Sequence, residues 1–250
     1  MKFGFVIPVY RHGSTLEAVV KTLLSFNFPI IVVDDGNDEE NKAFISAVEK
    51  KYDIVTVVYR PENGGKGRAM IDGVLKANEM GLTHILQLDS DGQHDTGKAQ
   101  RFFELSEQNP DAVICGYPEY DADAPKTRVN GRKFANGWIH IVTLSKDIKD
   151  AMIGFRIYPV APFVKLIHRT TIDARMGFDI DVLVKLYWLG VGVVSEPVKV
   201  TYPADGISNY RYFKDTVRVS LVYAKLCLGL IIHAPVLIYR KIKRHMRGEK

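Results

Sequence analysis

Cysteine is scarce in this 250-residue chain, with Cys115 in an apolar strand-like run and Cys227 in a helix-like run. Two distant thiols suggest neither a disulfide framework nor a metal cluster, and a reducing compartment fits them best. The amino terminus has no basic region followed by a long apolar stretch and a small-residue cleavage site. It goes straight into a strand-like run, Phe3 to Ile7, so a protein that is not secreted is expected. Internal repeats and low-complexity linkers are missing too. No Gly-x-Gly-x-x-Gly follows the first strand, which argues against a dinucleotide oxidoreductase. No Gly-x-x-x-x-Gly-Lys-Ser/Thr occurs either, which disfavours a P-loop NTPase. The cations are not interleaved with aromatic stacking platforms, so no nucleic-acid partner is expected.

What remains is an ordinary globular composition, 46% hydrophobic and 25% charged, enough for one large α/β domain or two small ones. A formal net charge of +5 fits an anionic membrane surface or phosphorylated ligands as well as nucleic acid, and the placement of the charge decides among them. Short apolar runs at Phe3 to Ile7, Ile30 to Val33, Ile54 to Tyr59 and Ile85 to Leu88 read as buried strands. Helical patterns separate them: Leu16 to Leu24, capped by Ser14 or Thr15, residues 39 to 51, and a helix opened by Asn63-Gly64-Gly65-Lys66-Gly67. Strands alternating with helices predict a doubly wound, mostly parallel sheet with helices on both faces and ligands gathered where its strands end. The middle reads as irregular from Gly116 to Pro125, then basic and helix-like from Lys126 to Leu144. Another strand is expected at 154–159, a helix at 178–189, and a last strand at 191–202 interrupted by Pro197.

The domain is expected to cover 1–210, with 211–250 forming a helical tail. Residues 219–239 are apolar and are followed by Arg-Lys-Ile-Lys-Arg-His-Met-Arg. Length permits a span, yet Lys225, His233 and Pro235 interrupt it, and a charge at the hydrocarbon centre costs about 2.5–3.5 kcal/mol. A pair of helices lying on a membrane surface is the expectation, with the basic end drawn to anionic lipid on the cytoplasmic side. Packing on the core or on another subunit is the alternative.

Chemistry concentrates at strand ends. Asp89 and Asp91 flank Ser90 where the fourth apolar run stops. Asp-Ser-Asp-Gly also makes an ordinary turn. Two close carboxylates, however, are tolerated cheaply when a cation sits between them, and oxygen ligands beside an open face suit Mg²⁺ or Mn²⁺. Asp35, at the end of the second strand, can accept from a base N–H or a ribose hydroxyl, or can cap a helix. The 63–68 loop offers glycine N–H groups, a helix start, Lys66 and Arg68, a set suited to a phosphate.

Together, Val-Ile-Pro-Val-Tyr at 6–10, Val-Val-Asp-Asp-Gly at 32–36, Asn-Gly-Gly-Lys-Gly-Arg-Ala at 63–69 and Leu-Asp-Ser-Asp-Gly-Gln-His at 88–94 make the chain resemble family 2 glycosyltransferases of the GT-A fold. Within them it looks like the dolichyl- or polyprenyl-phosphate mannose synthase branch. The resemblance implies that Pro8, Tyr10, Val33 and Asp35 hold a nucleoside. It implies that Asp89, Asp91 and Gln93, with Ser90, bind the divalent metal and donor diphosphate. Arg132 matches a cation beside a phosphate, and Arg156, in Gly-Phe-Arg, lies on the acceptor side. Gly177-Phe178-Asp179-Ile180-Asp181 matches a helix start whose Asp181 or Asp179 would be the base. The branch usually carries Arg-x-x-Gly-x-Ser-Lys where this chain has Pro203-Ala204-Asp205-Gly206-Ile207-Ser208-Asn209. With both cations missing, a lipid phosphate and a hydroxyl of a lipid-linked glycan both stay open as acceptors, and Arg211, Lys214 or Arg156 are the substitutes at hand. The expected activity is metal-dependent, inverting transfer of a hexose from a UDP- or GDP-sugar to such an acceptor. A nucleotidyltransferase and a non-catalytic nucleotide-sugar-binding protein are the alternatives.

Overall fold

Apolar runs buried on both faces make the central strands of this chain. The computed structural model describes residues 1–91, 96–119, 126–199 and 212–246. Its elements are β1 (Phe3–Val9), α1 (Gly13–Leu23), β2 (Ile30–Asp34), α2 (Glu39–Lys51), β3 (Val55–Tyr59), α3 (Lys66–Glu79) and β4 (His84–Gln87). They continue with α4 (Ala99–Gln108), β5 (Ala112–Glu119), α5 (Lys126–Thr143), β6 (Arg156–Pro159), α6 (Val160–Arg169), α7 (Phe178–Trp188), β7 (Gly192–Lys199) and α8 (Tyr212–Met246).

The strands form one sheet in the order β3-β2-β1-β4-β6-β5-β7. It is parallel except for β6, which runs antiparallel to both β4 and β5. Alternation along each strand sorts side chains between two cores. Phe5, Ile7, Val32 and Leu86 join Leu16 and Val20 of α1, Ile45 of α2 and Phe102 of α4 on one face. Val6, Ile31, Val33 and Ile85 join Met70 and Val74 of α3, Phe163 of α6 and Leu183 of α7 on the other. The expected doubly wound α/β architecture is therefore present, in a mixed sheet.

Three local expectations change. Neither Ser14 nor Thr15 caps α1, which starts at Gly13 with no side-chain cap. Asn41 Oδ1 of α2 accepts the Gly13 N–H instead, at 2.9 Å, and satisfies one of the orphan donors of the first turn. Strand β5 extends to Glu119, inside the stretch expected to be irregular, because it pairs along its length with β7. Pro197 does not interrupt β7 but sits in register opposite Tyr117. β7 is the edge of the sheet, the place in a sheet where a proline is tolerated.

The tail is one helix rather than two. α8 is 35 residues long and contains Pro235. Its inner face buries Val222, Leu226 and Leu237 in the same core as α7. The Trp188 ring stacks on His233 with centroids 4.4 Å apart. Arg240 Nη1 donates to the carbonyls of Tyr187 and Trp188 at 3.2 and 3.0 Å, closing the carboxyl end of α7. The outer face carries Leu228, Ile231 and Ile232 at 67%, 73% and 78% exposure.

Candidate active site

The carboxyl ends of β1, β2 and β4 lie side by side on one edge of the sheet, where an open α/β sheet places its ligands. Four of the expected segments meet there. Pro8 and Val33 face each other in the β1–β2 register. The Val33 side chain is buried in the core, so only its main chain can meet a ligand. Tyr10 follows β1, with the Arg11 guanidinium 5.1 Å from its ring centroid.

Asp35 is committed to the glycine loop. Its carboxylate accepts from Gly64 N–H at 2.9 Å, Gly65 N–H at 2.8 Å and Asn63 Nδ2 at 2.9 Å. Arg60 Nε stands 3.0 Å from the same group. Burial pushes the Asp35 carboxyl above its ordinary 3.8, with the Gly64 and Gly65 N–H groups and Arg60 opposing. The glycine N–H groups expected to cradle a phosphate are thus spent on this buried carboxylate, which must be satisfied. Gly65 has φ +91° and passes so close to Ala174 and Arg175 that a Cβ would lie 2.6 Å from the Ala174 carbonyl.

Lys66, at the start of α3, is the centre of the site. Its Nζ stands 2.8 Å from Asp89 Oδ1 and 2.8 Å from Asp179 Oδ2. Burial by itself would lower the ammonium's pKa, but Asp179 and Asp89 outweigh it and hold the group well above its ordinary range. Gln87 Nε2 donates to the other oxygen of Asp179 at 2.9 Å. Arg156 is wholly buried, and its Nη1 donates to the Asp179 backbone carbonyl at 2.6 Å. Its guanidinium therefore acts through Asp179 and does not face an open acceptor site. The acidic turn is tied to α1, since Thr15 Oγ1 donates to the Ser90 carbonyl at 2.6 Å.

Gly154, just before β6, closes the cluster. A Cβ there would lie 2.7 Å from Lys66 Nζ, 2.8 Å from Asp89 Oδ2 and 3.0 Å from Gln87 Nε2. Gln87 is not among the expected site residues, and Gly154 is expected only as part of the Gly-Phe-Arg strand. Gln87 carries one signal, a polar side chain inside a buried strand, which demands a partner. The loop that precedes Gly154 belongs to Arg132, whose Nε stands 2.7 Å from Asp150 Oδ2. Asp150 in turn accepts the N–H groups of Met152 and Ile153 at 2.8 and 3.0 Å. Arg132 is thus bound to the support of Gly154, outside the Lys66 cluster.

The two candidate bases separate. Asp179 lies in the cluster. Asp181 Oδ2 accepts from Asp173 N–H at 2.8 Å and Lys185 Nζ at 2.7 Å, so it holds a turn. Asp91 lies on the same turn as Asp89 and is half-buried; Gln93, Arg211 and residues 203–209 lie outside the described residues. Among the described residues no three His, Cys, Asp or Glu side chains form a metal cluster. Asp89 and Asp91 still fit Mg²⁺ or Mn²⁺, which take one or two protein carboxylates and complete their shell from substrate phosphates and water.

An acidic turn, a glycine loop and a buried lysine on the carboxyl edge of this mixed sheet define an α/β fold of the GT-A type. The model of Glycosyl transferase family 2 matches residues 5–171. That is most of the chain, and the protein belongs to this family. A dolichyl-phosphate beta-glucosyltransferase of Dictyostelium discoideum is 26% identical over 87% of this chain and 73% of its own length. Two more enzymes named so, from Trichomonas vaginalis, are 24% and 25% identical, and the chain spans 60% and 64% of their length. Among solved structures, glucosyl-3-phosphoglycerate synthase of Mycobacterium tuberculosis, crystallised with Mn²⁺, UDP and glucosyl-3-phosphoglycerate, superposes with a TM-score of 0.66. The match covers 90% of this chain and 80% of that one at 14% identity, a likeness of fold.

Proposed function

We propose that this protein is a metal-dependent, inverting glycosyltransferase that moves a hexose from a UDP- or GDP-sugar to a lipid phosphate at the cytoplasmic face of a membrane. The observation that carries the reading is the Lys66–Asp89–Asp179 cluster, with Asp91 on the same turn, at the carboxyl edge of β1 and β4. The relatives named for transfer to dolichyl phosphate favour a lipid phosphate over a hydroxyl acceptor. A β product from an α-linked nucleotide sugar is an inversion.

Asp89 and Asp91 would hold the cation, which when bound supplies Lewis-acid stabilisation of the departing nucleotide diphosphate. The rest is work for the chain. Asp35 keeps the 63–65 loop in shape beside the donor. Gln87 and Arg156 fix Asp179, and Asp179 fixes the Lys66 ammonium, which is placed to meet diphosphate charge. A lipid phosphate is already a nucleophile and requires no base. Asp179 therefore positions a cation and does not need to take a proton.

The membrane part of the reading rests on α8. Among the described residues it is the one helix long and apolar enough to cross a bilayer, with a mean hydropathy of 2.0 in its most apolar window. Its inner face is occupied from Asp215 to Arg240 by the domain, which favours a helix lying at the surface with its outer face in lipid.

Thermal shift with UDP- and GDP-sugars in Mn²⁺ identifies the donor, because ligand binding raises stability by RT ln(1 + [L]/Kd). Transfer of labelled hexose to polyprenyl phosphate then tests the acceptor. The Asp89→Ala variant is expected to lose Mn²⁺-dependent donor stabilisation; donor binding and turnover that ignore this substitution would refute the metal assignment.

A further inference from the structure

On the sheet edge opposite the acidic turn, the last two turns of α8 close over a cavity of about 220 Å³ that the transfer reaction does not use. Gly190 and Val191, just before β7, line its floor, and Leu144 and Ser145, just after α5, line one wall. The other wall is basic, made of Arg240, Lys241, Arg244 and His245.

The charges there do not cancel. Asp147 is the one carboxylate in the lining. Its Oδ2 already accepts from Tyr187 OH at 2.9 Å and Arg244 Nη1 at 2.8 Å. Arg240 uses Nη1 on the carbonyls that end α7. Lys241 has only a long contact to the Leu144 carbonyl, at 3.5 Å. Three fixed cations against one carboxylate leave two positive charges in excess around a space large enough for a phosphate. Guanidinium and ammonium groups form their strongest hydrogen bonds with such an oxyanion.

We propose that this cavity binds the phosphate of an anionic lipid headgroup. The lipid, as opposed to free phosphate, is indicated by what flanks it. Ile238 and Ile242, on the same turns of α8, are 49% and 53% exposed and continue the outward apolar face, a surface for acyl chains next to a basic pocket. The site extends the membrane reading above and is independent of the donor reading. It would fix the far end of the domain to the bilayer and hold the catalytic edge at a set height.

The test uses the full chain and compares Lys241→Gln with Lys243→Gln. Both substitutions remove one charge from the same exposed stretch, but only Lys241 lines the cavity. Binding of monomeric dihexanoyl phosphatidylglycerol, followed by thermal shift or NMR, is expected to weaken at least ~10-fold in Lys241→Gln and to stay within about twofold in Lys243→Gln. Diffuse attraction predicts equal, small losses for both, about fivefold each on phosphatidylglycerol vesicles, and that result overturns the site. Inorganic phosphate binding as tightly as the short-chain lipid overturns the headgroup assignment. None of these readouts uses a nucleotide sugar, so failure of the transferase reading leaves them interpretable. Monomeric lipid bound by protein that ignores vesicles upholds the cavity while removing the membrane reading.

Discussion

Lys66 Nζ and Asp89 Oδ1 stand 2.8 Å apart, an ion pair that neutralises the first carboxylate of the acidic turn. Asp179 holds the same ammonium from the other side, also at 2.8 Å. Removing the lysine leaves two carboxylates facing each other in a largely buried site. Lys66→Met is therefore expected to cost about 3 kcal/mol, a fall in Tm of roughly 6–12 °C for a domain of this size. Mn²⁺ should restore part of that loss, since a divalent ion can take over the neutralisation. Thermal melts with and without Mn²⁺ check it, and an equal response to the metal in variant and parent would contradict it.

Gly154→Ala tests how closely the cluster is fitted. The added methyl would come within 2.7 Å of Lys66 Nζ and 2.8 Å of Asp89 Oδ2. These are ends of flexible side chains, so the fold accommodates the methyl by moving them. A displacement of that order costs about 100-fold in turnover. The expectation is a folded protein with Tm within a few degrees of the parent and a transfer rate reduced ~100-fold; unimpaired transfer would show that the cluster is not used.

Asp179 and Asp181 are expected to fail in different ways. Asp179→Asn weakens the hold on Lys66 and should lower kcat/KM by ~100-fold or more. Asp181→Asn loses the charge that pairs with Lys185 at 2.7 Å and supports the Asp173 N–H. It should cost about 2 kcal/mol of stability while leaving kcat within about twofold. Unfolding curves and steady-state kinetics on the two variants separate these outcomes, and a kcat loss confined to Asp181→Asn would reverse the assignment.

Much of this molecule is legible in its residues because burial on both faces writes continuous apolar strands, as at Ile30–Asp34. The direction of β6 is not legible. A run as short as Arg156–Pro159 pairs equally well either way, and its antiparallel course follows from where 144–155 leads the chain. The continuity of α8 is hidden by Pro235, which reads as a breaker but lies at an exposed position where the packing tolerates it. In the site, Asp89 and Asp91 stand out, whereas their partners come from distant segments. Gln87 meets Asp179 across 92 residues of sequence. The glycine loop misleads because a phosphate and the Asp35 carboxylate are equivalent acceptors for an N–H group, and only the fold decides which is present.

His84 sets a pH dependence. Burial holds its imidazole below the ordinary 6.5. Nε2 donates to the Pro110 carbonyl at 2.9 Å, which leaves Nδ1 to accept from the Thr83 hydroxyl at 2.9 Å. The unfolded chain takes up a proton near pH 6.5 and the folded chain only below that. Between those two values the unfolded state binds more protons, so stability falls as pH drops through 6.5 and is flat above it. His84→Gln keeps a donor for Pro110 and removes the titration. Urea unfolding at about pH 7 and 5 should give a smaller pH difference in the variant than in the parent, and equal differences would exclude His84 as the source.

The two faces of α8 carry separable duties. Leu226 is 1% exposed in the core shared with α7. Leu226→Ala should therefore cost about 2–5 kcal/mol of stability. Deleting residues 219–250 would do worse by removing Val222, Leu226 and Leu237 together and uncovering the core they share with α7, so loss of vesicle binding after that deletion would not isolate a membrane contact. Ile231 and Ile232 are 73% and 78% exposed, and the double variant Ile231→Glu/Ile232→Glu leaves the core untouched. Each isoleucine withdrawn from lipid forfeits about 1.5–3 kcal/mol, so the pair should lower vesicle partitioning by more than ~100-fold with Tm nearly unchanged. Co-sedimentation with anionic vesicles, run beside thermal melts, measures both. Vesicle binding that survives the double substitution would mean that the outer face of α8 is covered by protein and not by lipid.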